Sequence, residues 1–335
     1  MRTFDCPPRY DLAGTLRGLC LINGDPTLSV GAREGWFATR TPDGPGTLQL
    51  TLTGASPVAG SSPVAGSSAA AGSSAAAGSS AAAGSSAAAG SSLVATAYGP
   101  GADWLLDRAD AVAGLRDDLT GFLDLARQHP LLYRLAREHS GLRIGATGRV
   151  FHHLVPAVLG QKVTGKEARD GYVRLLRHFS TDPAPGPHPR LRLPPPPEAI
   201  AAAPYWVFHP FGIEQKRADA LRRVAAEASR LERCTTAADA VARLLTIRGI
   251  GPWTAAEVTR AAYGDPDAVS VGDYHVKNVV AYALTGAARG TDEHMLELLA
   301  PYAGHRGRVC GLLAAAGITA PKFGPRMPLR SFARF

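Results

Sequence analysis

The sequence predicts a small α+β domain with an antiparallel sheet over residues 1–100, followed by an all-α domain over residues 101–320. Three observations carry that prediction. Short stretches of alternating apolar and polar residues, at 35–40, 47–53 and 93–98, are confined to the first hundred positions. From Gly101 onward, apolar residues recur at helical spacing and no convincing strand run follows. Two of those helices meet at Gly249-Ile250-Gly251-Pro252, a dense run of turn and helix-start residues.

In the first part, residues 12–19 read as a helix among the strands. The strand-like stretches 47–53 (TLQLTLT) and 93–98 (LVATAY) flank six hexapeptides over residues 57–92, PVAGSS twice and AAAGSS four times. Nothing in these repeats is large or apolar enough to offset the entropy of ordering. They read as a flexible, expanded hairpin loop inside the first domain. A solenoid would need hydrophobic positions to stack.

The chain of 335 residues is long enough for two cores. At 45% hydrophobic and 19% charged residues it has an ordinary globular composition, which excludes a disordered chain. No apolar run approaches the roughly 18 residues of a membrane span. The N-terminal residues lack the basic-then-apolar layout of an export signal. Cys6, Cys20, Cys234 and Cys310 are far apart, with no CxxC pair, so free thiols in a reducing cytoplasm are expected. The net charge is +8. Residues 1–100 are balanced, five basic against five acidic, so the excess lies wholly in the second part. That asymmetry fits a polyanionic partner such as DNA, and it equally fits the Arg-rich drift of GC-rich coding.

The helices of the second part can be placed in order. Thr147 precedes the apolar stretch 150–159. Thr164 and Glu167 have the spacing of a capping box. Residues 183–197 are too proline-dense to be anything but loop. Ala218, Leu221, Val224, Ala225, Ala228 and Leu231 share one helical face, and Thr236 opens the next helix, with Val241, Leu244 and Leu245 on one side.

That helix ends near Ile247, Gly249 and Gly251 turn the chain, and Pro252 starts another helix. Two glycines around one apolar residue let the backbone take positive φ and approach a ligand, with free amides at the positive end of a helix. Such a turn can hold a phosphate, with Ile250 plugging the bundle beneath it. A plain helix–helix turn has the same residues. Downstream, Asp265-Pro266-Asp267 turns the chain again. The apolar stretch 268–271 leads to Gly272-Asp273-Tyr274-His275, and Val276, Val279, Val280, Ala283 and Leu284 form a helix closed by Gly286. Asp273 thus falls at a helix N-terminus, as a structural cap or as a carboxylate kept ionised by amides and dipole. An ionised carboxylate suits stabilising a cation or orienting water, and does not suit a general acid.

Residues 244–277 resemble the helix-hairpin-helix, Gly/Pro-rich loop and aspartate signature of the DNA glycosylase superfamily. Residues 7–19 (PPRYDLAGTLRGL), 141–168 with Leu159-Gly160-Gln161, and 212–221 are similar to segments of the bacterial 3-methyladenine DNA glycosylase II type. The resemblance implies a helix-hairpin-helix glycosylase bundle acting on double-stranded DNA with a damaged base, in the cytoplasm of a bacterium and without an obligate protein partner. It implies that the enzyme flips out an alkylated purine and hydrolyses its N-glycosidic bond. Asp273 would be the catalytic carboxylate. Gly249, Ile250, Gly251 and Thr254 would form the phosphate-binding hairpin, with a monovalent cation on its carbonyls. Gln161 and Lys162 would lie at the loop that fills the gap left by the flipped base, and Trp253, Glu257 and Tyr274 would line the base pocket.

Departures from the pattern narrow the reading. Trp253 stands where strand-cutting members carry a lysine nucleophile, which implies a monofunctional enzyme. Only Cys310 follows the hairpin, against the four cysteines of the iron–sulfur branch, so no cluster or other cofactor is expected. Glu257 and Ala314 replace pocket aromatics and Lys162 replaces an apolar wedge. Glu257 then reads as an exposed helix charge in preference to a contact to the base. Trp253 reads as a stacking surface or as core. His152-His153 is not expected to bind metal, and His275 reads as a structural hydrogen-bonder. Tyr205, Trp206 and Phe208 read as core. Arg306 and Arg308 read as a basic spot beside the site or a solvated face, and the basic tail 321–335 as a DNA contact or disorder. Two rival readings stand beside the alkylpurine glycosylase: a non-catalytic damage-binding protein, and a glycosylase for another lesion such as a deaminated base.

Overall fold

A computed structural model describes residues 1–54 and 91–321. The repeats, apart from Ser91 and Ser92, and the tail beyond Pro321 lie outside the described residues. Strands β1 (Arg2–Asp5), β2 (Leu28–Val30), β3 (Glu34–Thr41), β4 (Gly44–Thr53) and β5 (Ser92–Tyr98) form one antiparallel sheet in the order β1-β5-β4-β3-β2, with helix α1 (Leu12–Arg17) after β1. β4 and β5 pair from Thr47↔Tyr98 to Thr53↔Ser92, so the repeats do join two neighbouring strands.

Alternation explains how the sheet packs. Leu48, Leu50 and Leu52 of β4 point to one face with Leu93 and Ala95 of β5, and all are buried against Leu12 and Leu16 of α1. Each such leucine contributes about 1.5–3 kcal/mol of burial. α1 starts on Asp11, whose carboxylate accepts the Gly14 amide at 2.8 Å. On the opposite face, Trp36 and Ala38 are covered by Ala184, Leu191 and Leu193. The proline-rich segment is therefore a cover for the sheet, and Arg40 fastens it by donating to the Pro194 carbonyl at 2.8 Å.

The helices are α2 (Ala102–Leu106), α3 (Ala109–Val112), α4 (Phe122–Ala126), α5 (Pro130–Glu138), α6 (Val150–Leu159), α7 (Gly165–Phe179), α8 (Pro197–Ala202), α9 (Tyr205–Phe208), α10 (Gln215–Ala226), α11 (Ala228–Leu231), α12 (Ala237–Leu245), α13 (Pro252–Tyr263), α14 (Val276–Thr285), α15 (Asp292–Leu299) and α16 (Arg306–Ala315). α6 is buried at every residue and forms the axis of a core built from α6–α13. A helix buried on all sides, with only its two hydrogen-bonded histidines polar, belongs there. A second helical core joins α4, α5 and α14–α16. The sheet core reaches past residue 100 to Leu105, Ala109, Val112 and Ala261, so the sheet and the helices that follow it share a core.

Several expected starts are in place. Thr164 and Glu167 form the reciprocal capping box of α7, and Thr236 accepts the Asp239 amide at the start of α12. Thr147 is not the cap of α6; its hydroxyl meets His153 Nε2 at 2.8 Å instead. The helical face from Ala218 to Leu231 is broken at Glu227 into α10 and α11. Trp206 is a correction: Phe208 is fully buried as expected, but Trp206 is 73% exposed on the short helix α9.

Candidate active site

The hairpin between α12 and α13 is shaped by two glycines in different conformations. Gly249 has φ +99°, where a Cβ would be strained and would sit 3.0 Å from the Ala220 Cβ. Gly251 has φ −115° and ψ −179°, an extended cap before Pro252, and a Cβ there would meet nothing within 4 Å. The expectation of positive φ at both glycines thus holds only for Gly249. Ile250 is buried in the α6–α13 core, and its amide donates to the Ile247 carbonyl at 3.0 Å.

Gln161, in the turn after α6, donates from Nε2 to the Gly249 carbonyl at 3.0 Å and to the Thr254 hydroxyl at 2.9 Å. Thr254 is buried and braces the hairpin from inside. Lys162 follows with φ +54°, exposed at the apex of the same turn. Gln161 therefore ties its loop to the hairpin and Lys162 is its outward-facing member.

A monovalent cation on the hairpin would need backbone carbonyls. Those of Ile247, Arg248, Gly249 and Gly251 already accept from Ile250 N–H, Arg223 Nη1, Gln161 Nε2 and Ala255 N–H. The carbonyls of Leu245, Thr246 and Ile250 accept none of these bonds, and their neutral oxygens are the ligand type such an ion would take.

Asp273 sits where the two helical cores meet, in the segment between α13 and α14. Its Oδ1 accepts the amides of His275 at 2.7 Å and Val276 at 2.9 Å, and its Oδ2 accepts the Trp253 Nε1–H at 3.1 Å. Three donors from two elements fix this half-buried carboxylate. Gly272, at φ +90°, donates its amide to Asp292 Oδ1 at 3.0 Å, and Lys277 neutralises Asp292.

Trp253 is on the first turn of α13, and its ring edge lies near Gly160, where a Cβ would approach it to 3.4 Å. The resemblance implied a pocket shared by Trp253 and Asp273, and the hydrogen bond between them was not foreseen. Glu257, one turn further, corrects an expectation. It is not an exposed charge: Oε2 pairs with Arg260 at 2.8 Å and Oε1 accepts from Ser270 Oγ. Arg260 also donates to the Gly18 carbonyl at 2.6 Å, which links the site to the first domain. Ser270 and Arg260 were not singled out from sequence, because a lone Ser and a helix Arg carry no motif.

Other expected residues lie elsewhere. Tyr274 is 72% exposed and meets His275 edge-on, with centroids 4.9 Å apart, so it lines no enclosed pocket. His275 serves Asp273 through its backbone amide, not its ring. Arg306 is paired with Asp267, and Arg308 is buried against Asp117 at 2.6 Å, so neither is a free basic spot. Ala314 is exposed on α16. The two histidines of α6 point at different hydroxyls. His152 lies between Thr27 and Thr39, at 3.1 and 3.0 Å, and His153 faces Thr147. Burial holds His152 down at about 3, so it stays neutral. Cavities of about 550 and 360 Å3 lie on α11–α12 and beneath the proline-rich cover, and Asp273 and Trp253 line neither.

No family model matches the chain, and no curated protein matches it by sequence. Solved structures do match over nearly the whole length. A 3-methyladenine DNA-glycosylase from Archaeoglobus fulgidus is 15% identical, with 94% of this chain and 97% of that one covered and a TM-score of 0.70. MBOgg1 in complex with a low-affinity DNA ligand is 14% identical over 94% of each chain, with a TM-score of 0.65. The apo form of Clostridium acetobutylicum 8-oxoguanine glycosylase/lyase is 10% identical over 92% of this chain and 93% of that one, with a TM-score of 0.58. The chain thus has the fold shared by these helix-hairpin-helix glycosylases.

Proposed function

We propose that this chain is a monofunctional DNA glycosylase that binds damaged duplex DNA, flips out an alkylated purine of the 3-methyladenine type and hydrolyses its N-glycosidic bond. The observation that carries the reading is the Asp273 carboxylate, held by three donors one element away from a hairpin with an open extended glycine. A carboxylate so fixed is pre-organised for positive charge that develops on the sugar as the C1′–N bond breaks. The bond's electron pair leaves with the base. A water then adds at C1′, and its proton passes to the carboxylate or to solvent. A cationic alkylpurine leaves as a neutral base and so requires no general acid, which suits a site whose central group is an acceptor.

Trp253 carries no amine and cannot form the imine that strand cleavage would need. Its ring supplies the face on which an electron-poor base stacks. The Gly249–Gly251 turn, braced from inside by the buried Thr254, would position a backbone phosphate, and hairpin carbonyls would hold a monovalent cation that adds positive charge there. No other cofactor is proposed. A second reading rests on Glu257 and Arg260. Freed from each other, this acceptor and donor could read the edge of an oxidised or deaminated base by hydrogen bonding.

The test is base release from duplexes carrying methylated, deaminated or oxidised bases, run with the parent and with Asp273→Asn. Release of methylated purine by the parent, at least about 100-fold slower in the variant with DNA binding retained, is expected. Release of only oxidised or deaminated bases would move the assignment to the second reading. Salt-sensitive binding with no release from any duplex would leave a damage-binding protein.

A further inference from the structure

A groove runs along α12 away from Asp273. It is an open space of about 550 Å3, walled by Arg230, Arg233 and Thr235 and floored by Asp239, Arg243 and Thr246. Asp239, Arg243 and Thr246 fall three and four residues apart, one face of the helix, so the floor spans about 10 Å. Its far end is Thr246, where α12 gives way to the hairpin. The groove therefore ends three residues before Gly249, on the helix that leads into the turn proposed to hold a phosphate.

Its charges are unequally spent. Glu227 engages Arg230 at 2.9 Å and Arg243 more loosely at 3.8 Å. Arg233 is exposed and has no ion-pair partner among the described residues. Three guanidinium groups thus face two carboxylates, and Arg248 adds another cation at the hairpin end. Guanidinium forks and a threonine hydroxyl in an open, wet groove match phosphate oxygens and offer little to an apolar ligand.

We propose that this groove is a second phosphodiester site, holding the backbone of the same DNA bound by the hairpin, at a phosphate remote from the flipped nucleotide. It rests on the functional reading above. Arg233 is its primary contact, because it alone among the groove's arginines is not already engaged by Glu227.

The experiment measures binding of undamaged duplex by fluorescence anisotropy across a salt series, for the parent, Arg233→Ala and Arg233→Glu. Thermal melting confirms that the variants are folded. Losing one phosphate contact is expected to weaken binding several-fold in Arg233→Ala and about tenfold or more in Arg233→Glu. It should also lower the slope of log K against log salt by about 1. Unchanged affinity and slope in both folded variants, with salt-dependent parent binding intact, would overturn this site alone. No salt-dependent binding by the parent would overturn the functional reading with it. A third arm compares inorganic phosphate with sodium chloride at equal ionic strength as stabilisers of the protein without DNA. If Arg233→Glu abolishes a phosphate-specific stabilisation and leaves DNA binding unchanged, the groove takes a small anion and the proposal fails.

Discussion

Trp253 and Asp273 constrain each other through one hydrogen bond, and that bond separates two roles the tryptophan could have. Trp253→Phe keeps an aromatic face and removes only the N–H, leaving Oδ2 of Asp273 without its side-chain donor. Under the proposed mechanism, kcat is expected to fall about tenfold with KM little changed, as befits losing one oriented donor. Trp253→Ala should in addition raise KM, by loss of the stacking face. Equal behaviour of Trp253→Phe and the parent would show that the indole N–H does not position the carboxylate. A second residue-scale prediction concerns stability. Asp25 is buried, accepts the Thr27 amide and hydroxyl at 2.8 and 2.7 Å, and is pushed up by burial to about 6. Its folded-state value is raised, so the stability it contributes is full below pH 4 and lost as pH rises through about 6. Asp25→Asn keeps an acceptor and removes that loss, so its Tm should exceed the parent's at pH 8 by the equivalent of about 2–3 kcal/mol and lose this advantage near pH 4.5. His152 works in the opposite sense. Held neutral, it contributes stability above pH 6.5 that is lost as pH falls toward 3. Neither effect was legible in the sequence, because an isolated Asp or His gives no sign of what will surround it.

At the scale of elements, the hairpin was legible because glycine and proline act through local backbone geometry. Gly249-Ile250-Gly251-Pro252 names its own turn whatever packs around it. The difference between its two glycines was not legible, and it makes a prediction. Gly249→Ala meets a left-handed φ and the Ala220 methyl, and is expected to cost about 1–3 kcal/mol of stability in a denaturant titration. Gly251→Ala meets open space at an ordinary φ, so stability should stay within about 0.5 kcal/mol of the parent. If Gly251 lies against a phosphate, the same methyl should weaken DNA binding. A stable variant with unchanged affinity would remove Gly251 from the interface. The capping box of α7 and the cap of α12 were legible for the same reason: both are made between residues three apart. Glu257 shows the limit of such reasoning. Helical periodicity set its face, but its neutralisation depends on Arg260 within α13 and on Ser270 in the following strap.

Across the whole molecule, the sheet core and the α6–α13 core are bound together by shared members. Ile22 of the first domain lies in the α6–α13 core, and Ala261 of α13 lies in the sheet core. Arg308 of α16 and Asp117, before α4, form an ion pair whose side chains are 7% and 3% exposed. Removing one partner strands the other charge, so Arg308→Met is expected to cost about 3–5 kcal/mol and lower Tm by several degrees. A loss below about 1 kcal/mol would show that water reaches the pair. The sequence by itself determined the class of each half, the position of the hairpin, the caps and the helix start that holds Asp273. Each of these is set by residues within a few positions of one another, where periodicity and backbone geometry act. Tertiary structure alone decided that the proline-rich segment covers the sheet, that Trp253 and Gln161 brace the carboxylate and the hairpin, and that Glu257, Arg306 and Arg308 are neutralised. Apart from the Glu257–Arg260 pair within α13, those outcomes depend on contacts between residues 13 to 191 positions apart. A side chain's charge and hydrogen-bonding capacity are written in its chemical type, but its partner is chosen only when the chain closes on itself.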